Sequence, residues 1–158
     1  MAKRAAGLLL FRRSADQVEV LLVHPGGPYW RRKDDGAWSI PKGEYEPGDD
    51  PLRAAEREFA EELGSPPPAG RRDDLGEVRT SSGKRIRIFV TEADFDCSGS
   101  RSNLAEVEWP PRSGQRITFP EVDRSAWFAL EQARAKLVPV QRAFLDRLSV
   151  AGMAKPTS

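Results

Sequence analysis

Cysteine and histidine are almost missing from this chain of 158 residues, which carries one of each, Cys97 and His24. A lone cysteine forms no internal disulfide, and two such side chains fall short of the three or four ligands of an ordinary N/S zinc site. A reducing, cytoplasmic setting is therefore expected. An excess of one charge is missing too, since 25 Lys and Arg stand against 24 Asp and Glu for a net charge of +1. No global field draws the chain to a nucleic-acid duplex or an anionic membrane, so any polyanion has to be gripped locally. Long apolar runs are also absent. Ala5 to Phe11 is the longest near the N-terminus, too short to span a bilayer and followed at once by Arg12 and Arg13. No targeting segment is expected, and the expected partner is a small molecule, with monomer and homodimer both open. The length suits one domain, taken as residues 1–150, followed by a frayed tail over 151–158.

Hydrophobic patterning then orders the chain. Ala5 to Phe11 and Val18 to His24 read as two strands across the polar stretch Arg12 to Gln17. His24-Pro25-Gly26-Gly27-Pro28 breaks the second strand, and Tyr29 to Gly36 reads as a basic, aromatic loop. Pro51 to Leu63 predicts a helix, with Asp50 as its cap, Pro51 at the first helical position and Gly64 to close it. Its buried stripe is Leu52, Ala55, Phe59 and Leu63. Gly76 to Thr80 and Lys84 to Thr91 read as strands, Asp94 to Gly114 as a surface loop, and Ala126 to Ala129 as a last short strand. Leu130 to Leu137 and Pro139 to Leu148 read as helices.

On the central helix Glu58, Glu61 and Glu62 stand at i, i+3 and i+4, with neighbouring Cβ atoms about 5–6 Å apart. Crowded carboxylates raise one another's free energy, and Arg53 and Arg57 offset only part of that. A hard divalent cation does so better, because Mg²⁺ and Mn²⁺ prefer oxygen ligands and keep waters that a phosphate can replace. An acidic helix face is ordinarily just a solvated surface. What distinguishes this one is its frame: Gly43, five residues, Asp49, seven residues, then Arg57-Glu58-Phe59-Ala60-Glu61-Glu62-Leu63-Gly64.

That frame resembles the box of the Nudix family, Gly-x5-Glu-x7-Arg-Glu-U-x-Glu-Glu-x-Gly-U with U bulky and apolar, over the 23 residues Gly43 to Ser65. Asp49 replaces the first Glu and Ser65 the last apolar residue. The resemblance implies an α/β fold, an α/β/α sandwich with a mixed β-sheet between helices. It also implies Mg²⁺-dependent hydrolysis of a phosphoanhydride in a nucleoside diphosphate linked to another moiety, with Mn²⁺ as a possible substitute. The implied metal ligands are Glu58, Glu61, Glu62 and the backbone carbonyl of Lys42. Arg57 would orient a glutamate, and Glu58, Arg57 and Glu61 would form the catalytic set. A loop acid usually completes such a site, here Glu121 in preference to Glu106 or Glu108.

Trp38-Ser39-Ile40-Pro41-Lys42-Gly43 resembles the approach to the box in Nudix hydrolases acting on diadenosine polyphosphates and inositol pyrophosphates. Lys42, Arg31 and Lys84 are expected to meet phosphates, and Tyr29, Trp30 and Trp38 to offer stacking faces. Dinucleoside polyphosphate is the first substrate expected. Nucleoside triphosphate, nucleotide-sugar or inositol pyrophosphate hydrolysis, and a non-catalytic ligand-sensing module, remain the alternatives.

Overall fold

The computed structural model describes residues 3–150, so the expected tail over 151–158 lies outside the described residues. Strand β1 (Arg4–Ser14) is apolar on both faces and reads as an unbroken hydrophobic run, which is what a central strand covered on each side requires. It pairs in parallel with β5 (Arg85–Glu92) and antiparallel with β2 (Gln17–Pro25). Antiparallel β4 (Asp73–Arg79) and β8 (Val122–Ala129) extend the sheet, giving the order β4-β5-β1-β2-β8, and β3 (Lys42–Tyr45) pairs with the first half of β1. The expected mixed sheet is present. The four residues of β3, two of them charged, carry no periodic signal in the sequence.

Successive residues of β1 feed two cores. Ala6, Leu8 and Leu10 pack against Ala54, Ala55, Phe59 and Leu63 of helix α1 (Pro51–Leu63). Ala5, Leu9 and Phe11 pack with Ala133 and Leu137 at helix α2 (Leu130–Lys136) and with Phe144, Leu145 and Leu148 of helix α3 (Arg142–Val150). The result is the α/β Nudix-like sandwich expected from the box. Pro139–Gln141 forms a short 3₁₀ turn rather than the start of a longer helix.

The segment expected to be one irregular loop contains a hairpin, β6 (Leu104–Glu108) with β7 (Arg116–Pro120). Its half-buried residues, Ala105, Val107, Ile117 and Phe119, alternate with exposed ones. The period-2 pattern is thus present in the sequence on either side of Trp109-Pro110-Pro111, which interrupts it at the tip. Strand β8 also begins four residues before the expected Ala126.

Helix α1 begins as expected, with the Asp50 carboxylate accepting from the Arg53 N–H and Pro51 following. It ends at Gly64, at φ 76°, whose missing Cβ would stand 2.3 Å from the Arg101 carbonyl oxygen. Gly36 has the same φ and nothing within 4 Å of a Cβ. Gly64→Ala should thus cost about 1 kcal/mol more than Gly36→Ala, the excess being the clash with Arg101. Urea unfolding of the two variants measures the difference, and equal losses would contradict this account of the helix end.

Candidate functional site

The site begins where β3 crosses the carboxylate face of α1. The Lys42 N–H donates to Glu62 Oε1 at 3.1 Å, and a Cβ on Gly43 would lie 2.1 Å from the Glu58 carboxyl carbon. Glycine at 43 is what lets the backbone lie on that carboxylate. The preceding residues are fixed from the other side. Gln141, fully buried, accepts from the Ile40 N–H at 2.9 Å and donates to Ser39 Oγ, while Trp38 exchanges backbone hydrogen bonds with Lys136 and Val138.

Burial then shapes the electrostatics. Glu62 is only 9% exposed, and burial pushes its pKa up to about 8 against the pull of the Lys42 N–H and ammonium; Glu58 and Glu121 add repulsion. Glu58 is raised by burial and then by Glu61, with Arg57 opposing at 3.7 Å. The Lys42 ammonium is lowered by burial and by Lys84, while Glu62, Glu44 and Glu58 hold it up. Lys84 pairs with Glu44 at 3.3 Å.

Glu121 reaches this cluster through a run of backbone hydrogen bonds. The Asn103 N–H donates to the Glu61 carbonyl at 3.0 Å, the Glu121 N–H to the Asn103 carbonyl at 3.0 Å, and the Gly26 N–H to the Glu121 carbonyl at 2.8 Å. The turn between β7 and β8 is thus laced to the end of α1 and to the end of β2. Burial and Glu61 raise the Glu121 pKa. The competing acids stand elsewhere: Glu106 pairs with Arg116, and Glu108 accepts from the Arg112 N–H, both on the exposed face of the hairpin. Asp49, in the place of the box's first Glu, accepts from the Glu46 N–H at 3.2 Å and closes the turn into α1.

A family model for the NUDIX domain matches residues 1–148. The chain belongs to the Nudix family. The curated asymmetrical bis(5'-nucleosyl)-tetraphosphatase of Caenorhabditis elegans is 39% identical over 62 residues, which is 39% of this chain and 41% of that relative, so the match spans less than half of its length. Among solved structures, a C. elegans Ap4A hydrolase binary complex superposes with a TM-score of 0.62 at 22% identity, covering 96% of this chain and 99% of that one. The NUDIX domain of Shewanella oneidensis NrtR, complexed with ADP ribose, gives 0.64 at 16% identity, covering 96% and 88%. At these identities the structural likeness speaks for the Nudix fold alone.

Nudix enzymes generally use divalent metals. Among the described residues no three acidic, imidazole or thiol groups converge tightly enough to chelate one ion. The chemistry of the donors nonetheless fits a hard cation: Glu58, Glu61, Glu62 and Glu121 repel one another across a shared space, and the burial of Glu62 leaves little water to relieve it.

Next to these acids lies a cleft of about 340 Å³ lined by Tyr29, Trp30, Val107, Phe119, Glu62 and Glu121. Tyr29 and Trp30 are exposed, at 54% and 39%, with Trp109 edge-on to Tyr29 and Lys33 over Trp30. Arg31 is exposed in the same loop. Trp38 is different and corrects the expectation of a stacking face. It is 4% exposed, its indole N–H donates to Asp34, and it packs edge-on to His24 and Phe128. His24, given no role from sequence, is fully buried between Asp123 and the Lys33 carbonyl, where it ties the aromatic loop to β8. Its apolar neighbours in β2 were the one available signal of burial. No helix among the described residues is long and apolar enough to cross a membrane.

Glu62 links the site to stability. An acid whose pKa rises on folding binds its proton more tightly in the folded state. Its contribution is therefore fully present below the unfolded value of 4.5 and is lost as pH rises to about 8. In chelator, stability should fall by on the order of 3–5 kcal/mol over that window, and Glu62→Gln should remove most of the fall. Denaturant unfolding of both proteins at pH 5 and pH 8.5 checks this, and a pH-independent parent protein would contradict it.

Proposed function

We propose that this Nudix protein is a Mg²⁺-dependent pyrophosphohydrolase whose preferred substrate is a dinucleoside polyphosphate of the diadenosine tetraphosphate kind. The observation that carries the reading is the gathering of four acids, three from α1 and Glu121 from the β7–β8 turn, of which Glu62 and Glu121 line an open aromatic cleft. The curated relative that hydrolyses bis(5'-nucleosyl) tetraphosphates and the Ap4A hydrolase among the structural neighbours support the substrate choice.

Glu58, Glu61, Glu62, Glu121 and the Lys42 carbonyl would hold the metal. When bound, Mg²⁺ neutralises phosphate charge and lowers the pKa of a coordinated water. The protein's own groups do the rest. Arg57 holds the Glu58 carboxylate from its own turn of helix, and Gly43 seats that carboxylate under β3. Glu58 and Glu61, less buried than Glu62, would accept the proton of the attacking water. The water oxygen bonds to phosphorus, the anhydride P–O bond breaks, and the released phosphate oxygen keeps the electron pair. Tyr29 and Trp30 stack a base, while Lys42, Arg31 and Lys84 meet phosphate oxygens.

Turnover should require a divalent cation, and kcat/KM should be higher for diadenosine tetraphosphate than for ADP-ribose. Glu121→Gln should lower kcat by roughly 10–100-fold, the scale of losing a group that supports a metal, and Glu106→Gln should leave it within about twofold. Steady-state kinetics on both substrates decides. Preference for ADP-ribose would overturn the substrate, and greater damage from Glu106→Gln would overturn the role of Glu121.

A further inference from the structure

The ring of His24 is fully buried, with Trp38 edge-on at 5.2 Å between centres. Its Nδ1 lies 2.8 Å from Asp123 Oδ1 and its Nε2 lies 2.5 Å from the Lys33 carbonyl oxygen. A carbonyl and an ionised carboxylate only accept hydrogen bonds, whereas a neutral imidazole has one N–H to give. A neutral ring would therefore point one nitrogen lone pair at an oxygen. Both contacts are hydrogen bonds when both nitrogens donate, which is the imidazolium form. Val20 and Leu22, two and four residues earlier in β2, are apolar core residues, so an apolar side chain at 24 would continue the pattern. A buried ion pair adds little stability over such a residue. What it adds is direction, two hydrogen bonds that fix their partners in place.

The partner that matters is the Lys33 carbonyl. Among the described residues the backbone hydrogen bonds between Gly27 and Lys33 stay within the loop, from the Trp30 and Arg31 N–H groups to the Gly27 carbonyl and from the Lys33 N–H to the Trp30 carbonyl. Such a loop keeps its own shape but not its place on the sheet. It is tied at one end by the Gly26 N–H on the Glu121 carbonyl and at the other by Asp34, which accepts from the Trp38 indole and pairs with Lys136. His24 ties it between those ends. Lys33 in turn places its ammonium 5.0 Å from the centre of the Trp30 ring, and Tyr29 and Trp30 line the cleft beside Glu62 and Glu121. The charged groups around the His24 ring are Asp123 and Arg124 of β8, with Arg124 Nε 3.6 Å from Asp123, and Asp34 and Lys136 beyond Trp38.

We infer that His24 is a positioning residue for the proposed hydrolase, donating from both ring nitrogens, to Asp123 and to the Lys33 carbonyl, and so holding the loop that presents Tyr29 and Trp30 to the substrate. The clamp acts on the binding of a base and leaves the chemistry at phosphorus to the acids. It rests on the hydrolase reading for the substrate, while the two hydrogen bonds and the placement of the loop stand apart from turnover.

Three readouts on the full chain test it, with His24→Phe, which keeps a ring and removes both donors, and with Asp123→Ala and Asp123→Asn. His24 is the one histidine of the chain, so long-range ¹H–¹⁵N NMR reads its ring without ambiguity. Both ring nitrogens should carry a proton at the pH of the assay, and a single protonated nitrogen in the parent protein would overturn the clamp. An Asn at 123 can donate to Nδ1 of a neutral ring and leave Nε2–H for Lys33, so Asp123→Asn should show one protonated nitrogen with the loop still held. Hydrogen exchange at the Trp30, Arg31 and Lys33 amides should be about tenfold faster in His24→Phe and Asp123→Ala, with the amides of α1 unchanged. Unchanged loop exchange, or equal acceleration in α1, overturns the positioning role. In steady-state kinetics the same two variants should raise KM for diadenosine tetraphosphate about tenfold with kcat within about twofold, and Asp123→Asn should restore the parent KM. A fall in kcat at constant KM, the mark of a smaller folded fraction, overturns it as well. A parent protein that hydrolyses no phosphoanhydride rejects the hydrolase reading alone, since NMR and exchange need no turnover.

Discussion

The contact between the β3 backbone and the carboxylates of α1 is the constraint on which the rest of the site depends. The Lys42 N–H on Glu62 and the missing side chain of Gly43 over Glu58 fix where a helix turn meets a strand. Everything behind them serves to hold that segment still: Gln141 under Ile40, α2 behind Trp38, and the exchanged hydrogen bonds between Val23 and Ser39 that let the segment bridge β2 and β1. The backbone N–H groups are satisfied by buried partners, so a small shift of β3 would leave several unpaired at once.

The same contact creates the electrostatic problem that defines the chemistry. Seating β3 on the helix removes water from Glu62 and Glu58, while the hydrogen-bonded run through Asn103 brings Glu121 toward them. A hydrophobic core has no use for four acids in that position, because unpaired charge at low dielectric is expensive. A compensating cation would turn the cost into a binding site. Aromatic rings and an apolar hairpin face lie on the side of this centre toward Glu121.

Much of this was legible in the sequence. The helix limits followed from Asp50, Pro51 and Gly64, and the acids from their i, i+3, i+4 spacing, since both are local properties of a helix. The two apolar strands at the N-terminus were equally plain. What escaped was decided by tertiary contact. β3 is a strand because β1 offers it an edge, whatever its own propensity. Trp38 is a core residue because Phe128 and His24 surround it, and no neighbour in sequence says so. The two acceptors at the His24 ring, Asp123 and the Lys33 carbonyl, meet only when β8 and the aromatic loop are placed against β2. The preference for Glu121 over Glu106 and Glu108 comes from the family resemblance, while its position in the fold rests on backbone hydrogen bonds to Asn103 and Gly26 that no sequence pattern encodes.

We propose that the buried acid under β3 belongs to a cation site and carries a proton until the cation arrives. Calorimetric titration with Mg²⁺ or Mn²⁺ at pH 7, repeated in buffers of different ionisation enthalpy, counts the protons released on binding. With Glu62 raised to about 8, about one proton should leave per protein as metal binds, and the Glu62→Gln variant should release far less. Metal binding with no proton release by the parent protein, or equal release by the variant, would contradict the account.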